Sequence, residues 1–131
     1  MRLCSAILSC LSCLSGLLMA TTIPAWAQSP SPDVNVYYRL NTQFRGPDMD
    51  LDVFNGGPKN NLTHLAPKAD VSGQYWKFTP IGDGFWRMTT LFRGPDMCLD
   101  IFNGGPDDNQ PHLVTCANFS GQNWQLTSTP K

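Results

Sequence analysis

From Met49 onward the chain alternates apolar and polar: Met49, Leu51 and Val53 are interleaved with Asp50 and Asp52, and farther on Trp76 and Phe78 with Tyr75 and Lys77. A period of two sends successive side chains to opposite faces of an extended backbone, so these stretches predict strands with one inner and one outer face. No window carries the longer period of a helix of useful length. Gly46-Pro47, Asn55-Gly56-Gly57-Pro58, Ser72-Gly73 and Gly82-Asp83-Gly84 fall between the runs. Glycine supplies positive φ and proline presets a turn, so these segments predict chain reversals. The first half therefore reads as four short strands near 36–42, 49–54, 62–66 and 74–79.

The same pattern then returns. Phe44-Arg45-Gly46-Pro47-Asp48-Met49 recurs as Phe92-Arg93-Gly94-Pro95-Asp96-Met97, a shift of 48 residues, and Phe54-Asn55-Gly56-Gly57-Pro58 recurs as Phe102-Asn103-Gly104-Gly105-Pro106 at the same shift. Ser72-Gly73-Gln74-Tyr75-Trp76 answers to Ser120-Gly121-Gln122-Asn123-Trp124, and Tyr37-Tyr38-Arg39-Leu40 to Phe85-Trp86-Arg87-Met88. Two copies of one β-rich unit, residues 36–84 and 85–131, thus follow one another without a linker. The expected fold class is all-β, with two four-stranded units.

Upstream of the repeat, Met1-Arg2, an apolar stretch from Leu3 to about Ala20, and Ala25-Trp26-Ala27 read as a cleavable signal peptide over 1–27. A short segment, 28–35, precedes the first unit. The stretch is too short and too rich in serine for a membrane anchor, so no membrane span is expected in the mature chain, which is secreted or periplasmic. Two cysteines then remain, Cys98 and Cys116, and in an exported chain they read first as a disulfide, with a pair of free thiols as the alternative. With a net charge of −1 and no run of Lys or Arg, nothing points to a nucleic acid or an anionic membrane as partner.

The order Cys98-Leu99-Asp100-Ile101, then Cys116, then Gln122-Asn123-Trp124 resembles the repeat of ricin-type β-trefoil lectin domains. That resemblance covers nearly the whole mature chain, since both units carry the Leu-Asp pair and the Gln-x-Trp. It implies a trefoil-like all-β fold, incomplete as a single chain because a trefoil takes three such units and this sequence carries two. It further implies a disulfide in the second unit alone, since Asp50 and Lys68 stand at the cysteine positions of the first. Trp76 and Trp124 would pack in the core. Open strand edges would favour a homo-oligomer, three chains completing two trefoils or a swapped dimer forming.

The resemblance also implies a shallow sugar pocket in each competent unit, built from a carboxylate, an aromatic ring and an amide. Asp52 and Asp100 fall at the carboxylate position, and His64 and His112 at one often held by Gln. The aromatic place falls on Ala66 and Val114, and the amide on Gly73 and Gly121. Phe119, close to the pocket wall in sequence, reads as a packing residue, being Val71 in the other copy. Asn55 and Asn103 open the adjacent turns and can edge a pocket. Each carboxylate and asparagine has a plainer reading as turn chemistry, holding backbone N–H groups in place.

One histidine per unit without a second ligand at a recognised spacing does not make a metal site, and Asp48-x-Asp50-x-Asp52 lacks the later Gly and Glu of a calcium loop. Asn61-Leu62-Thr63 and Asn118-Phe119-Ser120 match the glycosylation acceptor pattern. No nucleophile beside a base, phosphate-binding loop or cofactor motif is present, and equivalent carboxylates in two repeats belong to separate pockets, so no enzymatic activity is expected. The expectation is a secreted carbohydrate-binding module without cofactor or metal, binding a glycan or glycoconjugate. The alternative is a structural or protein-interaction module that keeps the repeat for its fold.

Overall fold

The structure, a computed structural model, describes residues 31–127. The expected signal peptide lies outside these residues. The described chain is all-β: β1 (Asn41–Thr42), β2 (Gly46–Val53), β3 (Thr63–Pro67), β4 (Trp76–Gly82), β5 (Phe85–Thr90), β6 (Gly94–Ile101), β7 (Pro111–Thr115) and β8 (Trp124–Gln125). Short 3-10 turns at Gly57–Lys59, Ser72–Gln74 and Ser120–Gln122 interrupt them.

Sheet boundaries do not follow the repeat boundary. One sheet has the order β1-β2-β3, and the second runs β4-β5-β6-β7 with β8 also on β5. β4 belongs to the first repeat by sequence, yet it pairs along its length with β5 of the second, from Trp76 opposite Thr90 to Gly82 opposite Phe85. The reversal between them uses Gly82, Asp83 and Gly84, all at positive φ (97°, 52° and 77°), a conformation glycine adopts without a Cβ clash.

This inter-unit pairing explains why equivalent strands differ in length. β5 runs six residues because β4 lines its whole edge, whereas its counterpart near 36–42 is reduced to the isolated bridge Tyr38 to Trp76 and the two residues of β1. β8 has two residues where its counterpart β4 has seven. A strand gains its regular ladder from its neighbours, and among the described residues these two segments pair over only a few positions.

The core lies at the meeting of the units: Val53, Trp76, Phe78, Met88, Leu99 and Leu113 are buried, with Tyr38, Leu51, Trp86, Phe92 and Trp124 packed partly exposed around them. Phe78 meets the rings of Tyr38 and Trp86 edge to face, with centroids 5.5 Å and 6.5 Å apart. Trp76 is completely buried and donates its indole N–H to Leu51 O at 2.8 Å. Trp124, partly buried, makes the same bond to Leu99 O at 2.9 Å. Satisfying the single polar atom of each indole is what lets the ring enter the interior without a desolvation cost.

Cys98 and Cys116 form a disulfide (S–S 2.01 Å), a linkage compatible with an oxidising, extracellular setting. At the same place in the first unit stands Asp50. Alternation predicts an outward carboxylate there, but Asp50 is fully buried, because Arg39 reaches over it and donates from Nη1 to Oδ2 at 2.9 Å. The guanidinium also bonds Gln74 Oε1 and Tyr75 Oη, each at 2.9 Å. Its pKa is raised, first by the bond to Asp50, against the lowering effect of desolvation. One unit is thus fastened by a covalent bridge and the other by a charge-assisted network. Arg87, the counterpart of Arg39, instead donates to Ala117 O at 2.7 Å.

Candidate functional site

Two equivalent clefts open on the surface, one per unit. The first, about 510 Å³, is lined by Asp52, Asn55, Asp70, Ser72, Gly73 and Phe92 among others. The second, about 460 Å³, is lined by Asp100, Phe102, Asn103, Asp108, Phe119 and Gly121 among others. The carboxylates and asparagines predicted from sequence therefore meet in these clefts, Asp52 with Asn55 and Asp100 with Asn103.

Each carboxylate is held rigidly from below. Asp52 lies on β2, and its Oδ1 accepts from the backbone N–H of Val53 at 2.7 Å while Oδ2 accepts from Nε2 of Gln74 at 3.2 Å. Asp100 repeats this on β6 with Ile101 N–H at 2.7 Å and Gln122 Nε2 at 3.0 Å. The two glutamines are buried, and the rest of each amide is spoken for. Gln74 Nε2 also donates to Pro67 O at 2.9 Å and its Oε1 accepts from Ala69 N–H at 2.9 Å; Gln122 does the same with Thr115 O at 3.2 Å and Ala117 N–H at 2.8 Å. The Gln of Gln-x-Trp is thereby oriented so that only its N–H can face the carboxylate. An ionised carboxylate offers about four lone-pair sites. The two bonds to the protein leave acceptor capacity at a carboxylate that lines each cleft.

Gly73 and Gly121, which sequence comparison reads as a missing amide, have a positive reason to be glycine. A Cβ on Gly73 would stand 2.2 Å from Asp52 Oδ1, and one on Gly121 2.1 Å from Asp100 Oδ1. The carboxylate packs where a side chain would begin. The signal was visible in sequence, since glycine recurs there in both copies, but its cause lies in a residue 21 positions upstream.

His64 and His112 are not among the residues lining the clefts. Each sits directly opposite its aspartate across the hairpin, Asp52 to His64 and Asp100 to His112. Their rings stack on Phe54 and Phe102 at centroid distances of 3.7 Å in both units. Each imidazole thus supports the turn-proximal phenylalanine, and in the second unit that phenylalanine lines the cleft. Among the described residues no group of three or more His, Cys, Asp or Glu is arranged to hold a metal, and no helix is long and apolar enough to cross a membrane.

The rings that line the clefts are not at the positions sequence reasoning assigns to a ring. Ala66 and Val114 leave both expected places empty. In the first cleft Phe92 supplies the ring, reaching over from the β5–β6 turn of the second unit. In the second cleft Phe119 and Phe102 do so, and Phe119 is 60% exposed, which corrects its reading as a packing residue. Phe92 was unreadable as a site residue because its cleft belongs to the other repeat.

No family model matches the chain, and no curated protein matches it. Among solved structures, a chain of a mosquitocidal holotoxin is similar in fold, with TM-score 0.63 and 17% sequence identity over 78% of this chain and 12% of the toxin chain. The chain thus spans a small part of the structure it resembles, and at that identity the likeness establishes a shared all-β fold.

Proposed function

We propose that this is an exported carbohydrate-binding module without catalytic activity, with one shallow site per unit built on Asp52 and Asp100. The observation that carries this reading is the pair of equivalent clefts, each lined by a hydrogen-bonded carboxylate and an aromatic ring, Phe92 partly buried in the first and Phe119 exposed in the second. Hydroxyl groups of a sugar would donate to the remaining lone pairs of the carboxylate, and the apolar face of the pyranose would lie on Phe92 in the first cleft and Phe119 or Phe102 in the second. Asn55 and Asn103, exposed at the rims, add amide donors and acceptors. Cleavage before Gln28 would release the working protein, and the fold likeness to part of a toxin chain is compatible with an extracellular role.

The same bonds favour a second reading, a structural or interaction module, because each aspartate also ties its strand to the 3-10 turn at Ser72–Gln74 or Ser120–Gln122, through Gln74 or Gln122. A glycan array probed with the oxidised protein and with Asp52→Ala and Asp100→Ala separates the two. Binding lost stepwise with the two substitutions supports the lectin reading; binding to no glycan, or binding indifferent to both, rejects it.

A further inference from the structure

The phenylalanine rings beside the two clefts differ in whether the protein itself supplies them with a cation. In the first unit Lys59 Nζ lies over the Phe54 ring at 5.4 Å, and the Arg93 guanidinium lies over the Phe92 ring of the first cleft at 4.2 Å. The negative face of an aromatic ring attracts a cation held there. One repeat later Asp107 stands where Lys59 stands and Asp108 where Asn60 stands, so the turn after Phe102 brings carboxylates instead of an ammonium. Among the described residues, Lys, Arg and His are absent from the lining of the second cleft.

Two carboxylates meet in that cleft, Asp100 from β6 and Asp108 from the turn. Asp108 Oδ1 accepts from Gly104 N–H at 2.6 Å and Oδ2 from Asn109 Nδ2 at 2.9 Å, so the side chain is fixed yet keeps open lone pairs. Phe102, stacked on His112, and Phe119, 60% exposed, line the same space. A cleft that offers acceptors and aromatic rings, with no cation of its own, complements a ligand that brings positive charge, hydrogen-bond donors and an apolar face.

We propose that the second cleft selects sugars bearing a free amino group, with the ammonium held between Asp108 and the Phe102 ring and the apolar face of the pyranose on Phe119. This rests on the lectin reading of the cleft and names its ligand class. Lys59 over Phe54 shows, in the equivalent turn of the same chain, the contact that the ligand's ammonium reproduces. The first cleft does not share the preference, because Arg93 already covers its ring. Acetylation of the amine removes the charge and with it both contacts, and an anionic sugar is repelled by both aspartates. A sugar fits better than a lysine side chain because its hydroxyls also donate to Asp100 and its ring face covers Phe119.

Isothermal titration of the oxidised protein with a glucosamine trisaccharide and with its N-acetylated counterpart tests this. The free amine should bind about tenfold more tightly at low salt, as expected of one cation–π contact with a charge-assisted bond, and the preference should shrink as salt is raised. Asp107→Lys with Asp108→Asn gives the second turn the residues the first turn carries, and should abolish the preference by placing a resident ammonium over Phe102. A thermal melt checks that this variant is folded, and Asp108→Asn alone should reduce the preference in the same direction. Equal affinity for the two trisaccharides, or a preference that survives the exchanged turn, overturns the inference and leaves the lectin reading standing. A lysine peptide bound as tightly as the amino sugar also overturns it, since the sugar ring would then contribute nothing. Binding of neither trisaccharide overturns it as well, and only a blank glycan array would take the lectin reading down with it.

Discussion

Gly121 lies so close under Asp100 that a β-carbon on it would stand 2.1 Å from the carboxylate oxygen Oδ1. That oxygen cannot simply swing aside, because Ile101 N–H and Gln122 Nε2 hold the carboxylate from two directions. Gly121→Ala should therefore destabilise the fold by about 1–3 kcal/mol, as overpacking does elsewhere, and displace the carboxylate from its cleft. Urea unfolding measures the first effect, and a ligand titration at the second cleft the second. An alanine variant as stable as the parent would show that the carboxylate is loosely held.

Asp100→Asn keeps the size of the side chain but reverses one of its bonds. An amide that still accepts from Ile101 N–H must point its NH₂ at Gln122 Nε2, and Gln122 cannot turn without losing Thr115 O and Ala117 N–H. The facing donors should cost about 1–3 kcal/mol, the penalty for an unsatisfied buried polar group. If chemical denaturation of Asp100→Asn matched the parent, the Gln122 lock would have to be weaker than its geometry implies.

The two units offer an internal comparison of fastenings. Removing the Cys98–Cys116 bridge frees a loop with a sequence separation of 18, worth about 3 kcal/mol in the chain-entropy model. Lys68 N–H bonds Asp48 O at 2.9 Å just as Cys116 N–H bonds Asp96 O at 2.9 Å, so the backbone of the first unit already has the disulfide-bearing arrangement. Asp50→Cys with Lys68→Cys should close a second bridge, read as a mass loss of two hydrogens, and its oxidised form should melt above its reduced form. Failure to oxidise would mean that the two hairpins differ more than their hydrogen bonds do.

Phe119→Ala should leave stability within about 0.5 kcal/mol of the parent, as expected for an exposed site, while weakening any ligand of the second cleft and sparing the first. Phe92→Ala should behave differently, weakening the first cleft and also the fold, since its ring packs on the core. Thermal melts beside isothermal titration of each variant distinguish the two roles; an equal loss of stability in both would assign Phe119 to packing after all.

The all-β class, the repeat and the order of strands were legible in sequence, because strand periodicity and turn chemistry act over a few residues and the duplication displays each signal twice. Asp52 and Asp100 were singled out by the resemblance of the repeat and Asn55 and Asn103 as openers of the adjacent turns, and all four line the clefts. Strand length was less legible. Nothing local distinguishes residues 37–42 from 85–90, yet only the latter carry β4 along a full edge, so only they form a long strand.

By itself, then, the sequence determined the unit and its duplication, and with the resemblance it carries it singled out a carboxylate that lines each cleft. Tertiary structure alone decided that Asp50 is buried under Arg39, that Gly73 and Gly121 make room for Asp52 and Asp100, and that Phe92 of one repeat walls the cleft of the other. Those outcomes join residues far apart in the chain, and a pattern of local period carries no information about which distant side chain will arrive.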